Sequence, residues 1–246
     1  MQTENPSHTN RLNEAIILAG GFGTRLKEVI NDLPKPMAPV NGKPFLAHLL
    51  LYLKKYSIGK VILSTGYLSE KIEEYFGREY EEIQIVYSKE ESPMGTGGGI
   101  KLAMGKCVSD VVLVMNGDSF FDIDINEFYA RHRWNRADFS IALRKVENAA
   151  RYGTIGLHEE DRILFFQEKN GEEKAGLING GVYLLKRDLF QKNTPLGEAF
   201  SIERDFFETF INRFSFHGYI SKGYFIDIGI PEDYSKAQDE LKGPAY

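Results

Sequence analysis

The sequence predicts an α/β protein: a mixed, mostly parallel sheet flanked by helices, with a small antiparallel insertion. Two observations carry this expectation. Through Val146, short apolar runs alternate with segments of amphipathic helical periodicity. Beyond Val146, strand candidates crowd together with turn residues between them. The chain of 246 residues suits a single domain. At that size a fold buries roughly three quarters of its unfolded surface and needs no covalent staples.

In chain order, Ala15–Leu18, Lys60–Thr65, Ile83–Tyr87, Val111–Asn116 and Phe139–Val146 read as buried strands. Pro44–Tyr56, Ser69–Phe76, Gly97–Met104 and Ile125–Arg136 carry helical spacing between them. Such alternation favours parallel strands with helices on both faces. Ile155–Leu157, Ile163–Gln167 and Leu177–Leu185 read as an antiparallel insertion or lid beside the sheet. A helix over Ile202–Ile211, strands near Phe214–Tyr219 and Tyr224–Ile228, and a helix opening at Pro231 complete the chain. Residues 1–12 are expected to be a flexible tail and residues 13–246 one domain.

Composition narrows the function classes. A single cysteine, Cys107, forms no internal disulfide and points to a reducing, cytoplasmic setting. It reads as packing, not as a nucleophile. Five scattered histidines argue against a His/Cys metal cluster. No apolar run reaches spanning length, and the polar start lacks the core of a signal peptide. A net charge of −5 disfavours nucleic-acid and anionic-membrane partners. Trp134 in its basic segment reads as a solvated or subunit-contact face, leaving a homo-oligomer open. Tyr80, Phe120, Phe121, Phe165, Phe166, Phe206 and Phe207 read as core and sheet cover.

The richest stretch is Leu18-Ala19-Gly20-Gly21-Phe22-Gly23-Thr24-Arg25-Leu26. Glycines let backbone N–H groups close on an anion, and Arg25 offers a planar fork of donors for phosphate oxygens. The spacing fails the dinucleotide fingerprint, because Leu26 stands where its third glycine belongs. It also lacks the Gly-Lys pair of a P-loop. Lys35 follows between two prolines, which restrict the backbone and are expected to hold the segment extended with its ammonium pre-aimed. An ordinary surface lysine is the alternative reading.

Gly20-Gly21-Phe22-Gly23-Thr24-Arg25-Leu26 and Pro34-Lys35-Pro36 resemble the signature of the sugar-1-phosphate nucleotidyltransferases. The resemblance continues through Met94-Gly95-Thr96-Gly97-Gly98, Asn116-Gly117-Asp118, Tyr152-Gly153-Thr154, Glu168-Lys169, Asn179-Gly180-Gly181 and Phe225-Ile226-Asp227-Ile228-Gly229, covering nearly the whole chain. It implies a Rossmann-like, glycosyltransferase-A-like nucleotidyltransferase fold. It also implies transfer of a nucleotidyl group from a nucleoside triphosphate to a sugar 1-phosphate, in surface polysaccharide biosynthesis.

Within that resemblance, Arg25, Lys35 and Asp118 are the expected catalytic residues. Leu18, Ala19, Gly20, Gly21, Gly23, Thr24, Glu90, Gly95, Thr96, Asn116 and Gly117 are expected around the nucleotide. Gly153, Glu168, Lys169, Asn179 and Gly180 are expected around the sugar phosphate; the Gly-Gly pair reads equally as a bulge. Relatives often carry proline after the lysine of the Glu-Lys pair, whereas Asn170 stands here. Asp118 and Asp227 end separate apolar strands and can share one Mg²⁺, although Gly-Asp and Asp-x-Gly are also turn chemistry.

The choice of base turns on Glu90. A carboxylate accepts from both N1–H and N2–H₂ of guanine, while uracil and thymine offer one such donor. GTP is therefore favoured, with a solvated acidic pair, Glu90 and Glu91, as the alternative. The wording of Pro34–Pro39, Gly95–Gly98 and Leu177–Gly181 implies D-glycero-alpha-D-manno-heptose 1-phosphate as the sugar. Mannose 1-phosphate, or a hexose phosphate with UTP or dTTP, is the runner-up. A non-catalytic nucleotide-sugar sensor would lack the metal carboxylates that stand here.

Overall fold

The computed structural model describes residues 11–21, 33–150, 152–167 and 173–241. The first strand is β1 (Glu14–Leu18). Lys35–Met37 forms a single 3-10 turn, and β2 (Pro39–Val40) pairs with β3 (Lys43–Pro44) in a short hairpin. There follow α1 (Phe45–Lys55), β4 (Lys60–Thr65), α2 (Ser69–Phe76), β5 (Glu79–Tyr80), β6 (Ile83–Lys89), α3 (Gly95–Met104) and β7 (Val111–Asn116). Next come β8 (Ser119–Phe121), α4 (Ile125–Trp134), β9 (Phe139–Val146), β10 (Thr154–Leu157), β11 (Ile163–Gln167), β12 (Gly176–Lys186) and α5 (Arg187–Asn193). A π-helical turn over Ile202–Phe207 runs into α6 (Glu208–Phe210). The last elements are β13 (Phe216–Ser221), β14 (Phe225–Asp227) and α7 (Pro231–Glu240).

One sheet organises these elements. β1 lies between β4 and β7, parallel to both, and β6 extends the parallel half beyond β4. β12 joins the other side of β7 antiparallel and pairs in turn with β9, which lies parallel to β13. The inner strands face helices on both sides, which is why their sequences are continuously apolar instead of alternating. Successive residues still point to opposite faces. Ile17, Leu63 and Met115 enter the core layer under α1, whereas Ile16, Ile62 and Val114 enter the layer that holds Ile100, Phe190 and Phe206.

The expected elements are present with small boundary shifts, and four differences carry physical content. The strand over Leu177–Leu185 is no part of a lid: it lies inside the main sheet, and only β10 and β11 form an antiparallel addition at its edge. The prolines around Lys35 close a 3-10 turn instead of an extended run, since Met37 N–H donates to Pro34 O at 2.7 Å. Phe165 stands 50% exposed on edge strand β11, in contrast to Phe120, Phe121, Phe206 and Phe207, which are fully buried. Leu12, the last residue of the expected tail, is buried within the core, while residues 1–10 lie outside the described residues. Among the described residues, no helix is long and apolar enough to cross a membrane.

Cys107 is buried, and burial pushes its thiol up to about 12, which fits packing and not nucleophilic chemistry. At the opposite end of β1 from the glycines, Glu14 is a buried carboxylate tying three strands' ends together. Its Oε1 accepts from Lys60 Nζ at 2.8 Å, and its Oε2 accepts the N–H groups of Val108 and Ser109 at 2.8 and 2.7 Å. Burial alone would raise its pKa, but these hydrogen bonds outweigh it and hold the carboxyl at about 2.

Because the folded-state pKa lies below the unfolded one, Glu14 stabilises the fold above the normal carboxylate range. That contribution, about 2–3 kcal/mol, is lost as pH falls toward the folded value. Urea unfolding should therefore find Glu14→Gln less stable at pH 7. The gap to the parent should shrink to roughly half by pH 3; a pH-independent gap would show that the carboxylate's ionisation is not what stabilises this end.

Candidate active site

The parallel strands end together at the carboxyl edge, and the chain reverses there between β1's two neighbours. This is the crevice where open α/β sheets bind ligands. A cavity of about 320 Å³ opens at that point. Among the described residues its walls are Leu18, Gly20, Gly21, Lys35, Pro36, Glu90, Pro93, Gly95, Thr96, Asn116, Gly117 and Asp118. Ten of the predicted nucleotide and catalytic positions thus meet in one wall: Leu18, Gly20, Gly21, Lys35, Glu90, Gly95, Thr96, Asn116, Gly117 and Asp118. Ala19 is buried behind it, its N–H donating to Ser64 O at 2.7 Å. Gly23, Thr24 and Arg25 lie outside the described residues.

Asp118 and Asp227 are distant in sequence and are joined by the pairing of β14 with β8, where Asp227 sits opposite Ser119. Lys35 Nζ donates to Asp118 Oδ2 at 2.6 Å and lies 3.7 Å from Asp227 Oδ1. Burial, then the neighbouring charge of Asp118, raises the pKa of Asp227. Two carboxylates are thus held together around one cation, the lysine's own ammonium. Gly229 leaves room for the cluster: a Cβ there would come within 2.8 Å of Asp227 Oδ1 and 3.1 Å of Lys35 Nζ. Among the described residues, no group of three or more metal-ligating side chains is present.

Glu90 opens the loop between β6 and α3 and is half-buried, unlike exposed Glu91. Its Oε1 accepts from Ser64 Oγ at 3.2 Å and its Oε2 from Met94 N–H at 3.0 Å. It therefore braces the turn into α3, and each oxygen retains a lone pair for a ligand. Gly95 opens α3 at φ +68°, a conformation that favours glycine, and a Cβ there would meet Phe200 O at 2.6 Å.

A second cavity, of about 520 Å³, is lined by Gly153, Thr154, Ile155, Phe166, Gln167, Asn179, Ser201, Glu203, Arg204 and Glu208. Gly153 and Asn179 are the predicted sugar-side residues that reach it. Gly180 is buried against Phe121, within the irregularity of the β9–β12 pairing between Asn179 and Tyr183, so the bulge reading of the Gly-Gly pair also holds. Glu168 and Lys169 lie outside the described residues.

Sequence reading missed Glu203. Its Oε1 accepts from Asn179 Nδ2 at 3.4 Å and from Tyr183 Oη at 3.3 Å. Its Oε2 accepts from Ser201 Oγ at 3.1 Å and from Thr96 Oγ1 at 3.5 Å. Thr96 lines the first cavity and Glu203 the second, so this contact joins the two. The missed signal is local: a helical reading of Ile202–Ile211 assumes the regular period, whereas the π-helical turn re-aims side chains.

Comparison with known proteins followed the same lines. The model of the family described as "Nucleotidyl transferase" matches residues 14–243. The D-glycero-alpha-D-manno-heptose 1-phosphate guanylyltransferase of Aneurinibacillus thermoaerophilus is 48% identical over 93% of this chain and 98% of its own. The enzyme of that name from Campylobacter jejuni is 47% identical over 90% of this chain and 96% of its own. The crystal structure of HddC from Yersinia pseudotuberculosis complexed with GMP-PN superposes with a TM-score of 0.82 at 35% identity, covering 94% of this chain and all of that one. With Gly20, Gly21 and the Lys35 cluster in the crevice wall and these matches over most of its length, the chain belongs to the nucleotidyl transferase family.

Proposed function

We propose that the protein transfers a guanylyl group from GTP to D-glycero-alpha-D-manno-heptose 1-phosphate and releases pyrophosphate. The observation that carries this reading is the pair of adjoining cavities joined at Thr96 and Glu203, with the Lys35–Asp118–Asp227 cluster in the first. The heptose and guanine specificities lean on relatives that share nearly half of their residues with this chain.

In the reaction, an oxygen of the sugar phosphate attacks the α-phosphorus of the triphosphate. The bond to the bridging oxygen breaks and its electron pair leaves with pyrophosphate. A phosphate monoester has a second pKa of about 6, so the nucleophile is ionised at neutral pH and needs no strong base. The protein's task is positioning and charge compensation between two anions. Gly20 and Gly21 allow close backbone approach to the triphosphate, and Glu90 accepts from the guanine edge. Lys35 meets phosphate oxygens once it leaves Asp118, with Arg25 expected beside it.

The carboxylate pair suits a hard divalent cation, Mg²⁺. Two oxygen-donor side chains already converge on a positive charge there, and Mg²⁺ commonly takes one or two carboxylates and completes its shell with phosphates and water. Asp118 and Asp227 would hold it. When bound, it supplies charge neutralisation at the phosphate oxygens. On the sugar side, Asn179 and Glu203 offer an amide and a carboxylate to hydroxyl groups, with Lys169 and Glu168 expected to close that side.

Three measurements test the reading. Pyrophosphate release should be fastest with GTP and the heptose 1-phosphate when four triphosphates are crossed with heptose, mannose and glucose 1-phosphates. Faster turnover with UTP or dTTP would overturn the base assignment. Asp118→Asn should abolish metal-dependent turnover while leaving the circular dichroism spectrum and unfolding midpoint near those of the parent; retained activity would remove Asp118 from the metal site. Glu90→Gln should erode the preference for GTP over ATP by about ten- to a hundredfold, the worth of one charge-assisted hydrogen bond. An unchanged ratio would leave Glu90 only its brace on Met94.

A further inference from the structure

At the other end of the sheet, a cavity of about 580 Å³ lies among the start of β1, the approach to β7 and the last turn of α4. Its wall carries Arg11, Arg133, Arg136 and Lys186, with His132 and the carboxylate of Asp110. β7 runs from this cavity at Val111 to the edge of the active-site cavity at Asn116, so about 20 Å of strand separates the two.

Cations outnumber carboxylates on this wall, although the chain carries a net charge of −5. Lys186 is paired with Asp138 at 2.7 Å. The three arginines have no carboxylate partner among the described residues. Among the described residues, Arg11 donates to Ser57 Oγ at 3.1 Å, and Arg133 lies 5.9 Å over the Tyr129 ring. Cations near a helix C-terminus are ordinary, because they offset the dipole. That accounts for Arg133 and Arg136 but not for Arg11 and Lys186, which arrive from other elements.

His132 adds an independent observation. It is 3% exposed, its Nδ1 meets Ser140 Oγ at 2.8 Å, and its Nε2 has no hydrogen-bond partner. Buried polar atoms are nearly always satisfied, so this enclosed ring nitrogen, in a residue that lines the cavity, is an unmet hydrogen-bonding group. Burial holds the ring neutral, with a pKa lowered to about 4. If Ser140 donates to Nδ1, the enclosed Nε2 carries the N–H.

We propose that this cavity is a second binding site, separate from the active site, for a small molecule bearing a diphosphate. Guanidinium forks match phosphate oxygens two at a time, and three arginines with no carboxylate partner among the described residues exceed what a single monoanion requires.

The test is a titration of the isotope-labelled full chain with inorganic pyrophosphate, followed by amide resonances. Saturable shifts are expected at Val108–Val111 and Arg133–Ala137, as a set distinct from Gly117 and Asp118. The pair Arg133→Gln with Arg136→Asn should weaken the first set at least tenfold and leave the second unchanged; asparagine tolerates the positive φ of Arg136. GDP, titrated in parallel, separates the sources: tighter binding than pyrophosphate at the first set makes the ligand a nucleotide, equal binding a free diphosphate. Absence of a first set, its persistence at full strength in the double variant, or equal shifts with chloride at matched ionic strength would overturn the proposal.

Discussion

The parallel pairing of β1 with β4 on one side and β7 on the other is the constraint from which the rest follows. Pairing on both edges buries Glu14–Ile17, so the run is apolar and the buried Glu14 at its start must be satisfied. At the amino end, Glu14 meets that demand through Lys60 and the Val108 and Ser109 N–H groups. At the carboxyl end, three strands stop together and leave a crevice where backbone N–H groups and loop side chains meet. Gly20, Asn116 and Gly117 reach the cavity because their strands end in register, Leu18 standing beside Asn116.

The same geometry makes the site electrostatically costly and then compensates it. Asp118 and Asp227 are brought together by the short β8–β14 ladder, and two partly buried carboxylates repel. Lys35, delivered by its 3-10 turn, neutralises them in the structure described here. A polyanionic substrate with its counter-cation would reverse the assignment, the carboxylates turning to the metal and the ammonium to phosphate. An acidic protein can in this way bind two anions without a basic surface around the site.

At the second cavity, the determining feature is the departure from regular helix over Ile202–Phe207. It sets Glu203 against Asn179, Tyr183 and Thr96, so that one carboxylate touches both β12 and the start of α3. The basic cavity at the amino end uses none of these residues.

The sequence by itself determined the strand–helix alternation, the glycine turn after β1 and the identities of Lys35, Asp118, Asp227 and Glu90, because these are local: an apolar run, a spacing, a flanking proline. It also placed the candidate strand Leu177–Leu185, yet not where that strand would pair, since a fully apolar run reads the same in a lid and in the centre of a sheet. Tertiary structure alone decided that Lys35 would lie between two carboxylates 83 and 192 positions away, because long-range strand pairing sets that distance. It alone decided that Glu203 would face Asn179, because a π-helical turn breaks the period from which facing is read. The exposure of Phe165 followed from its place on an edge strand, where one face has nothing to cover it. Residue type is written in the chain; which distant residue it meets is a property of the sheet.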